Sequence, residues 1–296
     1  MKKIVLATIL VAASAVSSAQ VVISGKVSEW VDSSKTGDTK VTSIATEPTS
    51  NFAIGVTEKL GGGLTARAVV ETSLSGNTIN GAGTQLGDRQ STVGLAHKLG
   101  SLDLGRNVHS QFLAITSNDA FGTLYGSVAG DVHNLRGLRF SNGAFASVSV
   151  VPGVTATYDR QQQAVGTDAL AYSLSAKVAG VGVTVARYEA GVEESTVVGA
   201  NAKFGATSVF YSHSDNKSAV AGETKKGDLV GLAQKFGAVT AKASYGKTNT
   251  DVKAYNVGLD YALSKRTEVG VAYRNVDQVG SASDVKQLGV GLTHRF

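Results

Sequence analysis

The chain has 296 residues with 28 basic and 23 acidic side chains, five histidines and no cysteine. Without cysteine there is no disulfide framework or thiolate chemistry, and basic residues spread along a nearly balanced chain make no nucleic-acid-binding stripe. Glycine is abundant at 35 residues and proline nearly absent at two, a composition for strands and tight turns. A mean hydropathy of +0.04 decides nothing by itself, so the patterning must.

Residues 1–19 read as a secretory signal peptide: Lys2 and Lys3 start it, Ile4 to Ala13 supply the apolar stretch, and Ser17-Ser18-Ala19 supply small residues before cleavage. The apolar run is too short for a spanning helix. The expected mature domain is 20–296, a single unit beginning at Gln20, with 26 basic and 23 acidic residues.

From Gln20 onward, about sixteen runs alternate between apolar and polar residues, near 20–31, 50–60, 63–74, 88–99, 101–108, 136–151, 154–161, 168–179, 181–190, 195–204, 206–214, 227–236, 238–248, 252–263, 265–277 and 284–296. Period-two alternation predicts strands with one greasy and one wet face. Six stretches repeat one pattern: Ile54 to Leu60, Val93 to Leu99, Val198 to Phe204, Val230 to Phe236, Val257 to Leu263 and Val290 to Phe296; a seventh, Tyr172 to Val178, is looser. Most are followed by a glycine or a short polar turn, as at Gly61-Gly62-Gly63, Gly100, Ala179-Gly180, Gly205, Gly237 and Ser264. Between these turns, the links 32–49, 75–87, 109–135 and 215–226 are longer and polar. Short turns at one end and long loops at the other predict an all-β, antiparallel up-and-down transmembrane barrel, with the short side periplasmic.

The sixth run is expected to turn at Pro152-Gly153, with Ala146, Val148 and Val150 outward and Arg139, Ser141, Ser147 and Ser149 inward; the rival turn is Ser141-Asn142-Gly143. In the last run Leu288, Val290, Leu292, His294 and Phe296 share one face, and Gln287, Gly289, Gly291, Thr293 and Arg295 the other. A barrel this wide cannot fill its interior with side chains. Its polar face therefore lines water and its apolar face meets lipid, where every backbone group must be paired. Trp30, Tyr188, Tyr211, Tyr245, Tyr261 and Tyr273 suit interfacial aromatic girdles. Lys59, Lys98, Lys177, Lys203 and Lys235 fall at the periplasmic rim.

Three stretches carry a family resemblance: Asn51 to Leu64, Asp88-Arg89-Gln90-Ser91-Thr92-Val93-Gly94-Leu95, and Leu99-Gly100-Ser101-Leu102-Asp103-Leu104-Gly105-Arg106-Asn107. With the ending Gly291-Leu292-Thr293-His294-Arg295-Phe296, the chain resembles the general trimeric porins of Gram-negative bacteria over essentially its whole mature length. The resemblance implies a homotrimer in the outer membrane, in contact with its lipid. It also implies an assembly signal at Phe296, Leu292 and Val290 read by the barrel-assembly machinery, and a loop after the fifth strand folded into the lumen. In that family basic wall residues face acids on this loop, which implies a pore constriction of Arg106, Arg139 and Arg67 against Asp119 and Asp131. Two departures stand out. Asn51 occupies a place where many members carry a wall arginine, and the loop reads Asn118-Asp119-Ala120-Phe121-Gly122 in place of the family element. Arg106 also falls in step with Leu102 and Leu104, which face outward; a bulge at Gly105 re-aiming the side chain is favoured over a place at the polar rim.

The expected function is a passive channel for ions and small hydrophilic solutes with a mild anion preference, in which pore width and charge do the selecting. No enzyme, cofactor or metal is expected: the histidines have no ligand spacing and the glycine-rich stretches do not open helices. The alternatives are a barrel selective for one solute, a barrel hydrolase using His109 or His133 as base, and a soluble or adhesive β-sandwich.

Overall fold

The computed structural model describes residues 19–75, 85–133, 135, 137–164, 166–217, 224–278 and 283–296. The expected signal peptide up to residue 18, Asn134, and parts of the links 75–87 and 215–226 lie outside the described residues. Among the described residues, seventeen strands form one sheet. They are β1 (Gln20–Thr36), β2 (Thr39–Thr46), β3 (Asn51–Gly61), β4 (Leu64–Ser73), β5 (Gln90–His97), β6 (Gly100–Val108), β7 (Arg139–Val151), β8 (Val154–Gln161) and β9 (Ala169–Val178). After these come β10 (Val181–Ala190), β11 (Glu193–Phe204), β12 (Thr207–Lys217), β13 (Thr224–Phe236), β14 (Val239–Thr248), β15 (Lys253–Ala262), β16 (Thr267–Asp277) and β17 (Val285–Arg295).

Apart from β2 with β3, each strand pairs antiparallel with its sequence neighbour, and β1 pairs with β17 to close the ring. Along its other edge β1 meets β3 through Gln20 to Lys26 and β2 through Glu29 to Thr36. The strands β2 and β3 thus lie end to end as one stave, which makes the barrel sixteen staves around. At the seam the Phe296 N–H donates to the Gly25 carbonyl at 3.0 Å and the Gly25 N–H returns the bond at 3.1 Å. A side chain at Gly25 would begin 2.4 Å from the Phe296 ring, so glycine is what lets the terminal ring lie on the seam.

The two faces follow the alternation. Val183, Val185, Val198, Val230, Leu232, Val257, Leu259, Val290 and Leu292 are exposed on the outer face, while Ser195, Val197, Ser212, Ser214, Leu229, Asn256 and Thr293 are buried on the inner one. The expected tight turns are present, and the five rim lysines sit exposed beside them.

Three expectations need correction. The link 32–49 is mostly a hairpin: β1 continues to Thr36, turns through Gly37 in a left-handed conformation, and returns as β2. Its residues are polar on both faces because the hairpin rises past the apolar band, so the period-two signal vanishes where the ladder does not. In β7 the turn is at Pro152-Gly153, and Ser141-Asn142 forms a bulge. Gly105 and Asn107 pair with Gly143 and Phe140, so two residues of β7 oppose Arg106. The β5–β6 register runs through unbroken. The extra residue is therefore in β7, where it takes Arg139 out of step with Ser147 and leaves Arg106 in step with Leu104. Finally, Trp30 and Tyr188 are buried on the inner face and belong to no girdle.

Candidate conduction site

The connection after β6 contains helices α1 (Ser110–Ser117) and α2 (Ala129–His133). The start of α1 is closed by its own neighbours: the His109 ring accepts the Phe112 N–H, and Asp159 on β8 accepts the Ser110 N–H at 2.6 Å. The loop then follows the inner wall. Helix α1 lies over β8 to β11 and α2 over β12 to β15. Ala114, Ile115, Val128, Ala129 and Val132 pack against Ala186, Val197, Leu229, Ala254 and Val276 in one buried cluster. Gln111 donates to Ser195 at 2.9 Å, Asn256 to the Gly126 carbonyl at 2.7 Å, and Lys225 to the Asp131 carbonyl at 2.8 Å.

The second position of the sequence repeat is what allows this approach. A Cβ at Gly199 would stand 2.2 Å from the Asn118 amide, at Gly231 2.9 Å from Ala120, and at Gly258 2.9 Å from the Phe121 ring. Gly291 likewise admits the Trp30 ring, which stacks on Tyr125 at 4.0 Å between centroids. The Tyr125 hydroxyl donates to Asp32; burial, and then this carboxylate, raise its pKa. His133 sits between the Ser212 and Ser214 hydroxyls at 2.8 and 2.9 Å, and burial lowers its pKa to about 4.

The loop does not offer its acids to the lumen. Asp119 is buried and accepts the Phe121 N–H, the Thr123 N–H and the Ser127 hydroxyl, so it staples the loop's own turn. Asp131 meets Arg274 of β16 at 3.1 Å, with burial pushing its pKa up against that cation. Leu113, Ser117 and Gly130 are the exposed described residues between Ser110 and His133, and none can ionise.

Facing them is the uncovered wall of β1 to β7. Arg67 and Asp103 form a bidentate pair on the inner faces of β4 and β6. A cavity of about 130 Å³ separates Asp103 and Ser101 from Leu113 and Ser110 of the loop. Lys26 pairs with Glu47 at 2.9 Å, and Arg89 with Glu71, which also accepts from Asn51 at 2.6 Å. Arg106 donates from Nε to the Asp88 carbonyl and from Nη1 to Ser141; Arg139 donates from Nε to the Arg89 carbonyl. The charged groups bearing on Arg139 are Arg89, Glu71, Arg106 and Asp88. Of the five expected constriction residues, the structure joins Arg106 and Arg139 but gives both outward strand parity, against the expected inward Arg139 and re-aimed Arg106, because the extra residue lies in β7; it puts Arg67 apart on its own partner, and turns Asp119 and Asp131 away from all three. The addition is Arg89. Its sequence signal is its place in the Asp88-Arg89-Gln90 motif; the expected run 88–99 puts it in step with outward Val93, but the strand begins only at Gln90, so that parity does not hold.

A family model described as Gram-negative porin matches residues 6–296. The chain belongs to the Gram-negative porin family. This porin is an outer-membrane protein whose barrel serves passive diffusion. No curated protein matches it. Among solved structures, the anion-selective porin from Comamonas acidovorans is 19% identical, with a TM-score of 0.80, covering 94% of this porin and 100% of that chain. Salmonella typhi OmpF in complex with daunomycin is 18% identical (TM-score 0.74, coverage 93% and 97%), and a mutant of the Rh. blastica porin is also 18% identical (0.73, coverage 94% and 100%). At these identities the likeness supports the fold.

Proposed function

We propose that this porin conducts ions and small hydrophilic solutes through the space between the loop and the β1–β7 wall, catalyses no reaction, and weakly prefers anions. One observation carries the preference: the loop presents no carboxylate, and Lys26, Arg67 and Arg89 on that wall are matched by Glu47, Asp103 and Glu71, while Arg106 and Arg139, with outward strand parity at the loop-bearing ends of β6 and β7, have no ion pair among the described residues. Most of the charge is neutralised in pairs, so the surplus is small. The anion selectivity in the name of the Comamonas porin agrees with this direction. Reversal potentials across a planar bilayer under a salt gradient test it: a modest anion preference that fades at high salt is expected, and cation selectivity would refute it. A hydrolase reading finds no support in His109 and His133, both fully buried where no substrate reaches them.

The porin is further proposed to work as a homotrimer, exported with removal of residues 1–19 and assembled through a signal at Val290, Leu292 and Phe296. The outward side of β17 and β1 to β7 suits the subunit contact. It carries no tyrosine, and Glu29 lies between Val27 and Val31 at the level of Leu292, where a carboxylate facing acyl chains would be costly. Three conductance steps per insertion and a mature N-terminus at Gln20 are the expected results.

A further inference from the structure

The outer face of β12 to β15 has an order that conduction does not use. The register stacks three outward rows there, running from mid-wall toward the end that bears the long connections. The first is Val209, Leu232, Ala243 and Val257; the second is Tyr211, Val230, Tyr245 and Tyr255; the third is His213, Asp228, Lys247 and Lys253. Ala243, the smallest of these side chains, leaves an apolar groove of about 360 Å³ walled by Val230, Leu232, Tyr245, Tyr255 and Val257.

Directly above the groove, Lys247 and Lys253 oppose each other across β14 and β15. Like charges in direct cross-strand register destabilise a sheet unless something lies between them. On its other side each lysine faces a carboxylate, Asp228 opposite Lys247 and Asp277 opposite Lys253, but these have other partners as well. Asp228 accepts from Tyr211 and His213, Asp277 accepts from Asn275, and Asp251 reaches Lys247 only at 3.6 Å. Among the described residues, Lys253 has no ion pair.

We propose that Lys247 and Lys253 hold the phosphate of an anionic lipid of the outer leaflet, with one of its acyl chains lying in the groove over Ala243. Three features fit a lipid. The lysines stand one row beyond the tyrosines, where an interfacial girdle places lipid headgroups. Basic side chains at that depth attract anionic headgroups. The groove continues from the charge toward mid-bilayer, as an acyl chain does. The inference rests on the bilayer setting of the barrel, which single-channel conductance of the same sample tests separately.

Native mass spectrometry of the purified full-length protein, titrated in detergent with dioleoyl phosphatidate, reads the site. Wild type should retain phosphatidate in preference to dioleoyl phosphatidylcholine, and inorganic phosphate at equal concentration should not displace it. Lys247→Gln with Lys253→Gln should weaken retention at least about tenfold, since one lysine near an anionic surface is worth roughly fivefold. Ala243→Trp, which fills the groove and leaves both charges, should weaken it as well. The control is Lys35→Gln with Lys40→Gln, another cross-strand lysine pair, whose next outward row is Ser33 and Thr42; retention should not change. Equal retention of the two lipids, an equal loss in the control, or full retention by either the double lysine or the Ala243 variant would overturn the proposal. Displacement by inorganic phosphate would overturn it too, as an ion site in place of a lipid site.

Discussion

The two halves of this barrel share one alternating code and do different work. Staves β8 to β16 carry the loop on their inner face and all the outward tyrosines on their outer face. Apart from Trp30 and Asp32, which hold Tyr125, and Phe140, which packs on His109, staves β1 to β7 leave their inner face to water, line it with paired charges, and show no tyrosine outside. One arc supports the loop and the other is the proposed filter. The inward residues show why. Where the loop lands, the wall offers glycine, small polar groups and Ala186, Val197 or Ala254, which accept close packing. Where it does not land, the wall offers Arg67, Asp103 and Glu71, which keep their partners in a hydrated space. Damage to the first arc should therefore unseat the loop and make the current noisy, while changes in the second should move ion preference and leave the fold intact.

The largest test of this division is Trp30→Ala. Trp30 lies on β1 but clamps the loop through the Tyr125 stack, and its loss opens a cavity beneath that ring. A cost of about 3–5 kcal/mol is expected in detergent-micelle unfolding. Current noise should rise and the reversal potential stay unchanged; a quiet channel with shifted selectivity would break the comparison.

Next comes the pH dependence of the support. The His133 pKa in the folded protein lies below its ordinary value of 6.5, at about 4, so the unfolded or undocked state binds the proton first. The stabilisation is whole above pH 6.5 and drains away as the pH falls toward 4, by about 3 kcal/mol at most. His213, Asp228 and Lys225 also act on this ring. His133→Gln should flatten the stability curve between pH 6.5 and 4. A wild-type curve already flat in that window would contradict the buried, neutral ring.

Smaller still is Gly199→Ala. The new methyl would meet the Asn118 amide and force α1 to shift, an overpacking cost of about 1–3 kcal/mol. Gly55→Ala, on the open arc, has only the Val22 carbonyl at 4.0 Å and should cost less. Equal losses from the two would erase the distinction between the arcs.

These glycines also mark how far the sequence could be read. The apolar band wrote itself plainly in Val290, Leu292, Val257 and their like, because lipid demands one greasy residue in every two. Strand ends beyond the band, such as β2 and the tip of β12, lost that signal although their ladders continue. Gly199, Gly231 and Gly258 looked like mere inward small residues; their task depends on a loop some 80 to 140 residues away in sequence, which no local pattern announces. Trp30 and Tyr188 were misjudged for the same reason, since an inward aromatic is stable here only with Tyr125 or with Phe140 and His109 beside it. Arg139 was displaced by one bulged residue, which reverses strand parity.

The central claim is that solutes pass between the loop and the β1–β7 wall, with nothing passing behind the loop. The chain has no cysteine, so single cysteines can be placed without background. Leu113→Cys sits on the exposed side of α1 and Ala254→Cys beneath the loop. Adding a positively charged methanethiosulfonate reagent during single-channel recording should lower the conductance of Leu113→Cys in a step and leave Ala254→Cys unaltered. A blocked Ala254→Cys channel, or a Leu113→Cys channel that conducts as before, would contradict the account.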